Sequence, residues 1–566
     1  MKNNLLLLFK ETPPKFKLQF LFIFLFVTIN AILEVVSIGA LLPIIKVAQS
    51  ANFVIEINKF LPNSLNFNPN TSKEELIKIS CYFFLIIFLL KTLFSIFVIK
   101  YQTSVLANIK FELSNFFFKV YSKKNYEFYK LNSSNKILVD IDKNISEFCN
   151  RFLLSGIFII SEFIIILGFI IFLYFLGEGN FIFFIVILFL ILYLFNFLTK
   201  KKINNASKIW QSLNIKKIKI LQEFVRGVKE IKAKRNGYFF VNSFKKLSIE
   251  FETTFGNFNF LQLFPKYIFE LLALSSLVFY LIFTLNYQDL NKIISDFIII
   301  FAVVLRLTPS ISKISFHFSN IKFSITPFKK IVDLYENLSI TRLKLKQIRD
   351  IKTIDFRNVG FKFGDQIIFE NLNFKINKND QICISGPSGS GKSTFIDLVC
   401  GLIKPSSGNI LINNINFDKE KSYLPITYVP QDPIILDDSI RNNITFGDLK
   451  FDENRFNDST NITELNVWIH NLQNKDKTIV GEFGGNISGG QKQRISLARG
   501  IYSNKEIIIL DEPLSAVDDE NKEKIFPKLL KFFSNKTLII VTHDQNNFKY
   551  FKKKFKLKDK NLVSDD

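Results

Sequence analysis

Apolar residues fall into two rhythms along this chain: long, nearly unbroken blocks before residue 314, and short blocks of four or five after residue 351. The long blocks lie at about 18–45, 76–99, 152–176, 181–199, 264–285 and 293–314. Each approaches or exceeds the roughly twenty residues that a helix rising 1.5 Å per residue needs to cross about 30 Å of hydrocarbon. The pattern predicts six membrane-spanning helices. Gly177-Glu178-Gly179-Asn180 joins the third and fourth as a tight helical hairpin, and a similarly short polar turn separates the fifth from the sixth.

The connections at about 100–151 and 200–263 keep helical periodicity, as in Ile215, Ile218, Leu221 and Val225. They are expected to be helices extending beyond the spans, with transverse segments at Tyr126–Lys136 and Arg235–Phe240. Residues 315–337 continue the sixth span in the same way. Met1–Lys17 suggests a short interfacial helix, with a disordered tail as the alternative. A basic linker, Thr341–Asp350, ends this first domain (1–340), and a second domain (351–566) follows. There the short blocks Gln381–Ser385, Ile426–Val429, Ile507–Leu510 and Leu538–Thr542 alternate with helical stretches, as in a parallel nucleotide-binding sheet.

Charge changes the picture only in orienting it. The 566 residues carry a formal charge of +23, which in a soluble protein suggests nucleic acid. Here many basic residues flank the apolar blocks, so the excess fits a membrane protein and no nucleic-acid partner is expected. Segments 1–17, 100–151, 199–266 and 322–350 are rich in Lys and Arg, whereas 177–180 has none and 286–292 has only Lys292. Basic loops face the cytoplasm. Both termini and the second domain are therefore expected inside an inner (plasma) membrane, with a longest external loop at about 46–75. No cleavable signal peptide is expected, because the first block lacks a small-residue cleavage site. Cys81, Cys149, Cys383 and Cys400 lack metal or disulfide spacing.

The candidate chemistry sits in the second domain. Gly386-Pro387-Ser388-Gly389-Ser390-Gly391-Lys392-Ser393 matches G-x-x-x-x-G-K-[ST] between a predicted strand and the helical stretch Thr394–Cys400. Such a loop turns backbone N–H groups onto a polyphosphate at a helix N-terminus. Lys392 is placed for the β- and γ-phosphates and Ser393 for Mg²⁺. Downstream, Ile507–Leu510 ends in Asp511, a second Mg²⁺ candidate, and Glu512, a candidate general base. Ser488, Gly489 and Gly490 open another helix and offer a second anion-binding terminus.

Asn486-Ile487-Ser488-Gly489-Gly490-Gln491-Lys492-Gln493-Arg494 resembles the signature sequence of ATP-binding-cassette (ABC) transporters, with Ile487 in place of the usual Leu. The resemblance implies ATP and Mg²⁺ as ligands and extends over nearly the whole chain: an all-α, six-helix membrane domain followed by an α/β P-loop cassette, as in exporter-type half-transporters. It implies that Gln431, in Tyr-Val-Pro-Gln-Asp, is the Q-loop residue that contacts Mg²⁺. Glu482 resembles the X-loop acid, and Ser515-Ala516-Val517-Asp518 the D-loop. His543 resembles the switch histidine that contacts the γ-phosphate. Phe363, or else Phe361, takes the place of the aromatic that stacks on adenine; Phe keeps the π-face of the usual Tyr and loses its hydroxyl. Because such chains work as dimers, each ATP is expected between Gly386–Thr394 of one chain and Ser488–Gln491 of another. A homodimer then supplies every part, and a heterodimer is also allowed.

For the substrate, Leu33–Gly39, Arg306–Ser310 and Gln222–Arg235 resemble exporters that flip lipid-linked oligosaccharides. The alternatives are peptides, hydrophobic drugs, lipid A-type lipids or, in another class, an ATP-gated regulator or channel. Arg306 lies about thirteen residues into the sixth span and Lys91 is similarly deep in the second, where a charge is costly and faces a cavity or a partner. Both are substrate candidates. Internal pairing is the expectation for Glu34, Glu162 and Glu270.

Overall fold

A computed structural model describes residues 14–41, 43–44, 72–175, 182–284, 290–336, 346–418, 422–543 and 550–565. Two compact units divide the chain: residues 1–124 with 131–341, and residues 125–130 with 342–566. The expected interfacial segment Met1–Lys17, the longest external loop and both short turns between spans lie largely outside the described residues, as does the first half of the linker.

The first unit is helical. It contains α1 (Pro14–Gly39) and α2 (Lys73–Ser122). The short α3 (Tyr126–Leu131) then falls almost wholly in the second unit. Next in the first unit come α4 (Ser134–Phe175), α5 (Ile182–Arg226), α6 (Val228–Lys234), α7 (Gly237–Thr284) and α8 (Leu290–Glu336). Among the described residues, five helices are long and apolar enough to cross a membrane: α1, α2, α4, α7 and α8. The expected fourth span falls at the start of α5, where several side chains lie outside the described set.

These helices are apolar on both their inner and outer faces, the mark of a helix surrounded by protein on one side and hydrocarbon on the other. Along α2, Leu85, Ile86, Leu89 and Leu93 point outward, while Val98, Val105 and Ile109 are buried against Ile23 and Val27 of α1 and Phe148 and Phe152 of α4. Phe152 stacks flat on Phe328 of α8 with ring centres 4.7 Å apart. A second core joins Ile165, Ile166 and Phe169 of α4 to Phe269 of α7 and Ile300, Val303 and Leu307 of α8.

A short helix follows α5, ahead of the transverse segment expected at Arg235–Phe240. It is Val228–Lys234, set off by Gly227 on one side and by Arg235, in the left-handed region at φ 53°, on the other. The segment Arg235–Phe240, expected to be transverse, instead ends α6 and starts α7. Gly227 is the break between α5 and α6. The π-helical turns Val139–Asn144 and Phe148–Leu153 inside α4 were not legible either.

Among its described residues the second unit has three sheets. A six-stranded sheet runs in the order β12-β11-β4-β10-β9-β8. Its central members are β4 (Gln381–Ser385), β8 (Ile426–Val429), β9 (Ile507–Asp511) and β10 (Thr537–Val541), all parallel. β11 (Lys553–Lys558) adds in parallel and β12 (Asn561–Ser564) antiparallel. Every residue of β9 and β10 is buried, so their Ile-rich runs are continuous rather than alternating.

A four-stranded antiparallel sheet is formed by β2 (Thr353–Phe363), β3 (Gln366–Asn377), β5 (Ser407–Ile412) and β6 (Ile415–Asn416). The short pair β1 (Lys346–Gln347) and β7 (Ser422–Tyr423) makes the third. Helix α9 (Lys392–Val399) follows the Gly-rich loop, and its Phe395 stacks on Phe356 of β2. Helices α10 (Ile440–Thr445), α11 (Glu453–Ile462) and α12 (Asn466–His470) pack with α13 (Gly489–Ser503) around Ile440, Ile444, Phe456, Leu465 and Ile495. α14 (Asp519–Phe532) buries Ile525, Phe526 and Leu529 against β9 and β10.

Candidate functional site

Register brings the chemistry together. β10 lies between β4 and β9, with Val541 opposite both Ile384 and Asp511. The loops leaving the three strands therefore emerge at one sheet edge: Gly386–Gly391 after β4, Glu512 after β9 and His543 after β10. The carboxyl ends of parallel strands are where open α/β sheets bind ligands.

The Gly-rich loop needs its glycines. Gly389 and Gly391 have φ of 82° and 99°, a region that L side chains rarely adopt. A Cβ on Gly391 would also meet Ile368 at 2.9 Å and Phe369 at 3.0 Å, so β3 approaches the loop too closely for any other residue. Pro387, Ser388 and Gly389 are exposed, as is Ser393 on the first turn of α9; Thr394 follows it half-buried. Lys392 folds back, its Nζ donating to the carbonyls of Gly386 (2.8 Å) and Pro387 (2.9 Å). Burial holds its ammonium below the usual range, and the charges of Glu512 and Asp511 pull it back up. The hydroxyl of Ser390 is buried without a partner. A cationic amine, exposed hydroxyls and an unpaired buried hydroxyl at a helix N-terminus fit a polyphosphate.

Glu512 is held from two sides. Gln431 Nε2 donates to its Oε2 at 2.9 Å, and His543 Nε2 lies 3.2 Å from its Oε1. Its backbone sits at φ 45° while its N–H donates to Val541 O; such conformations cluster at functional sites. Asp511, 8% exposed, has its carboxyl pushed above the usual range by burial, against a hydrogen bond from Tyr428 that lowers it. Ser393, Gln431 and Asp511 offer the all-oxygen donor chemistry that suits Mg²⁺.

The signature segment is built as a helix cap. Ser488 Oγ accepts from Gln491 N at 3.2 Å and Gln491 Oε1 accepts from Ser488 N at 2.8 Å, a complete capping box at the start of α13. Gly489 is exposed and Gly490 half-buried, and a Cβ on Gly490 would strike Ala516 O at 2.9 Å. Glu482 sits in a short turn (Glu482–Gly484), with Phe483 at φ 51°.

Sequence reasoning missed Gln493. Its Nε2 donates to Ser515 Oγ at 2.7 Å, its Oε1 accepts from Ala516 N at 2.7 Å, and it reaches Gln431 O at 3.4 Å. One side chain thus ties the signature helix, the 515–518 turn and Gln431. It lies within the signature run, but only contacts reveal the role.

At the tip of the β2–β3 hairpin Phe363 is 58% exposed, whereas Phe361 packs on the core. Of the two candidate rings, Phe363 is the one free to stack.

In the helical unit Arg306 and Lys91 converge on a single carboxylate oxygen. Arg306 Nε lies 2.5 Å and Lys91 Nζ 3.0 Å from Glu34 Oε1. Both substrate candidates are therefore internally paired here, and α1, α2 and α8 are tied together by one buried glutamate. Glu162 pairs with Lys313 at 3.0 Å, leaving its second oxygen buried and unpartnered. Glu270 pairs with Lys266 on the same helix.

Comparison with known proteins decides the second unit. Residues 369–515 match the family described as ABC transporter. This is an ABC transporter cassette. ATP is the ligand that family implies, and the loop and carboxylates above are its expected site. A putative export ATP-binding/permease protein of Rickettsia typhi is 33% identical over 235 residues, 40% of this chain and 40% of that protein. IrtB, a mycobactin import ATP-binding/permease protein of Mycolicibacterium thermoresistibile, is 29% identical over 241 residues, 39% of this chain and 42% of that protein. An ATP-dependent lipid A-core flippase of Desulfotalea psychrophila is 33% identical over 201 residues, 35% of each chain. These matches span about two-fifths of the relatives' length, and the relatives' named cargoes differ. A solved bacterial Atm1-family ABC exporter with ATP bound superposes with a TM-score of 0.77 at 16% identity, over 96% of this chain and 94% of that one. The fold throughout is thus that of an ABC exporter half, a helical membrane-type domain fused to a cassette.

Proposed function

We propose that the chain is half of an ATP-driven exporter or flippase and acts as a dimer. The observation that carries this is Glu512 held between Gln431 and His543 at the sheet edge beside the Gly386–Ser393 loop, in a chain with five spanning-length apolar helices among its described residues. Ser393, Gln431 and Asp511 would hold Mg²⁺, which would supply neutralisation of the negative charge on the phosphates.

The chain's own residues do the rest. Lys392 releases the Gly386 and Pro387 carbonyls and reaches the β- and γ-phosphates. Ser393 and Asp511 hold the metal side, and Gln431 joins them when it leaves Glu512. Glu512 then takes a proton from the attacking water, and His543 turns from Glu512 to the γ-phosphate. Phe363 stacks on adenine. Ser488, Gly489 and Gly490 of a second copy close over the nucleotide, with Gln491 fixing the cap that presents them. The partner is a second copy, and a related half-transporter would serve equally. The setting is an inner membrane with the cassette on the cytoplasmic side.

For cargo we favour an amphipathic, anionic lipid, above all a lipid-linked oligosaccharide or other glycolipid. Two cations and one carboxylate leave the Glu34–Lys91–Arg306 cluster with a single surplus positive charge. An uncompensated charge in hydrocarbon is costly, and a guanidinium matches phosphate oxygens bidentately. The test is ATP-dependent movement in proteoliposomes of a polyprenyl-pyrophosphate sugar against the same sugar on a neutral lipid. Preference for the charged form is expected and is lost in Arg306→Gln. Equal movement of both would remove the cluster from the substrate site.

A further inference from the structure

Tyr428 opens the Tyr-Val-Pro-Gln-Asp run but has been given no role, and its hydroxyl reaches Asp511. It lies on β8, three residues before Gln431, in parallel register with Ile509, two residues before the end of β9. Its hydroxyl donates to Asp511 Oδ2 at 3.3 Å. That is long for an O–H···O bond, a restraint rather than a lock. Among the described residues Asp511 Oδ1 has no protein partner. The charges acting on Asp511 are Glu512, Lys392 and Asp397 on α9, the last of which acts on Tyr428 as well. Asp397 is itself paired, through Oδ2, with Lys130 Nζ at 2.7 Å.

A carboxylate at a strand end turns readily about its last torsion, which is broad and roughly two-fold. Without a second contact either oxygen of Asp511 can face the loop. The Tyr428 hydroxyl selects one, occupying Oδ2 and leaving Oδ1 free for a hydrated cation. We propose that Tyr428 is a positioning residue for the metal–nucleotide complex, acting through Asp511. This rests on the reading of Asp511 as a metal-side residue. The nearest precedent in physical terms is the outer-shell partner of a metal ligand, whose loss costs about 10–100-fold in metal affinity.

The test uses the full chain in detergent, in a Glu512→Gln background so that nothing turns over. Binding of a fluorescent ATP analogue is titrated with Mg²⁺ and, separately, Mn²⁺. Tyr428→Phe keeps the ring and removes the hydroxyl. It should raise the half-saturating metal concentration about tenfold, near the low end of that range because the bond is long. Metal-free nucleotide affinity and the melting temperature should stay as in the parent, which a purely structural role would not predict. If Asp511→Asn shifts the metal titration and Tyr428→Phe leaves it superimposed on the parent, the positioning role is overturned. If Asp511→Asn also has no effect, the assignment of Asp511 falls first, and the inference with it.

Discussion

The two units solve the same electrostatic problem differently. In the cassette, Glu512 is bound by an amide and an imidazole, both of which can let go and find new partners when a nucleotide arrives. In the helical unit, Glu34 of α1 is bound by Lys91 of α2 and Arg306 of α8, a contact that ties three helices together. A carboxylate held by neutral or titratable groups is poised to act. One held by Lys and Arg in an apolar setting is structural until an anion competes for its partners.

Substitutions in the nucleotide site and in the Glu34 cluster probe that contrast. Glu512→Gln should have the largest effect, lowering ATP hydrolysis by about 10²–10⁴ while nucleotide binding persists; near-normal turnover would erase the distinction on the cassette side. Lys392→Ala should weaken ATP binding by roughly 10- to 100-fold, the worth of a charge-assisted hydrogen bond, measured with the same fluorescent nucleotide. Phe363→Ala should weaken it about tenfold, a stacking contribution, with Phe363→Tyr restoring affinity and Phe361→Ala lowering stability instead.

The smallest but most discriminating effect lies in the helical unit. Glu34→Gln strands two cations, whereas Arg306→Gln leaves the Lys91–Glu34 pair intact. Thermal melting should fall further for Glu34→Gln, by a margin of about 1–3 kcal/mol in stability, since breaking a buried pair from the shared side leaves more charge unpaired. Equal melting temperatures would mean that the cluster does not hold the bundle together.

Legibility followed the length scale of each constraint. Strands β4, β8, β9 and β10 were legible to within a residue because each is a short apolar run bounded by polar residues. The Gly386–Ser393 loop and Ser488–Gln491 were legible because their chemistry is local, with every needed group within a few residues. Glu512 and His543 required two strand ends to be known as neighbours, which the resemblance supplied. The Arg306–Glu34–Lys91 cluster joins residues more than two hundred positions apart. Sequence marks each as a costly charge but cannot pair them. Gly227 and Arg235 show the opposite failure: a one-residue break hidden inside otherwise good helical periodicity. Tyr428 and Gln493 lie inside motif runs, yet only register and contact reveal what they touch.

The central claim is that hydrolysis at Glu512 drives movement across the membrane. It is tested most directly by reconstituting the wild-type chain and Glu512→Gln in proteoliposomes and following a labelled lipid-linked sugar with and without ATP and Mg²⁺. The account predicts vectorial movement that requires both and vanishes in Glu512→Gln. Wild-type hydrolysis with no movement of that lipid, nor of any glycolipid, peptide or drug offered in its place, would contradict it.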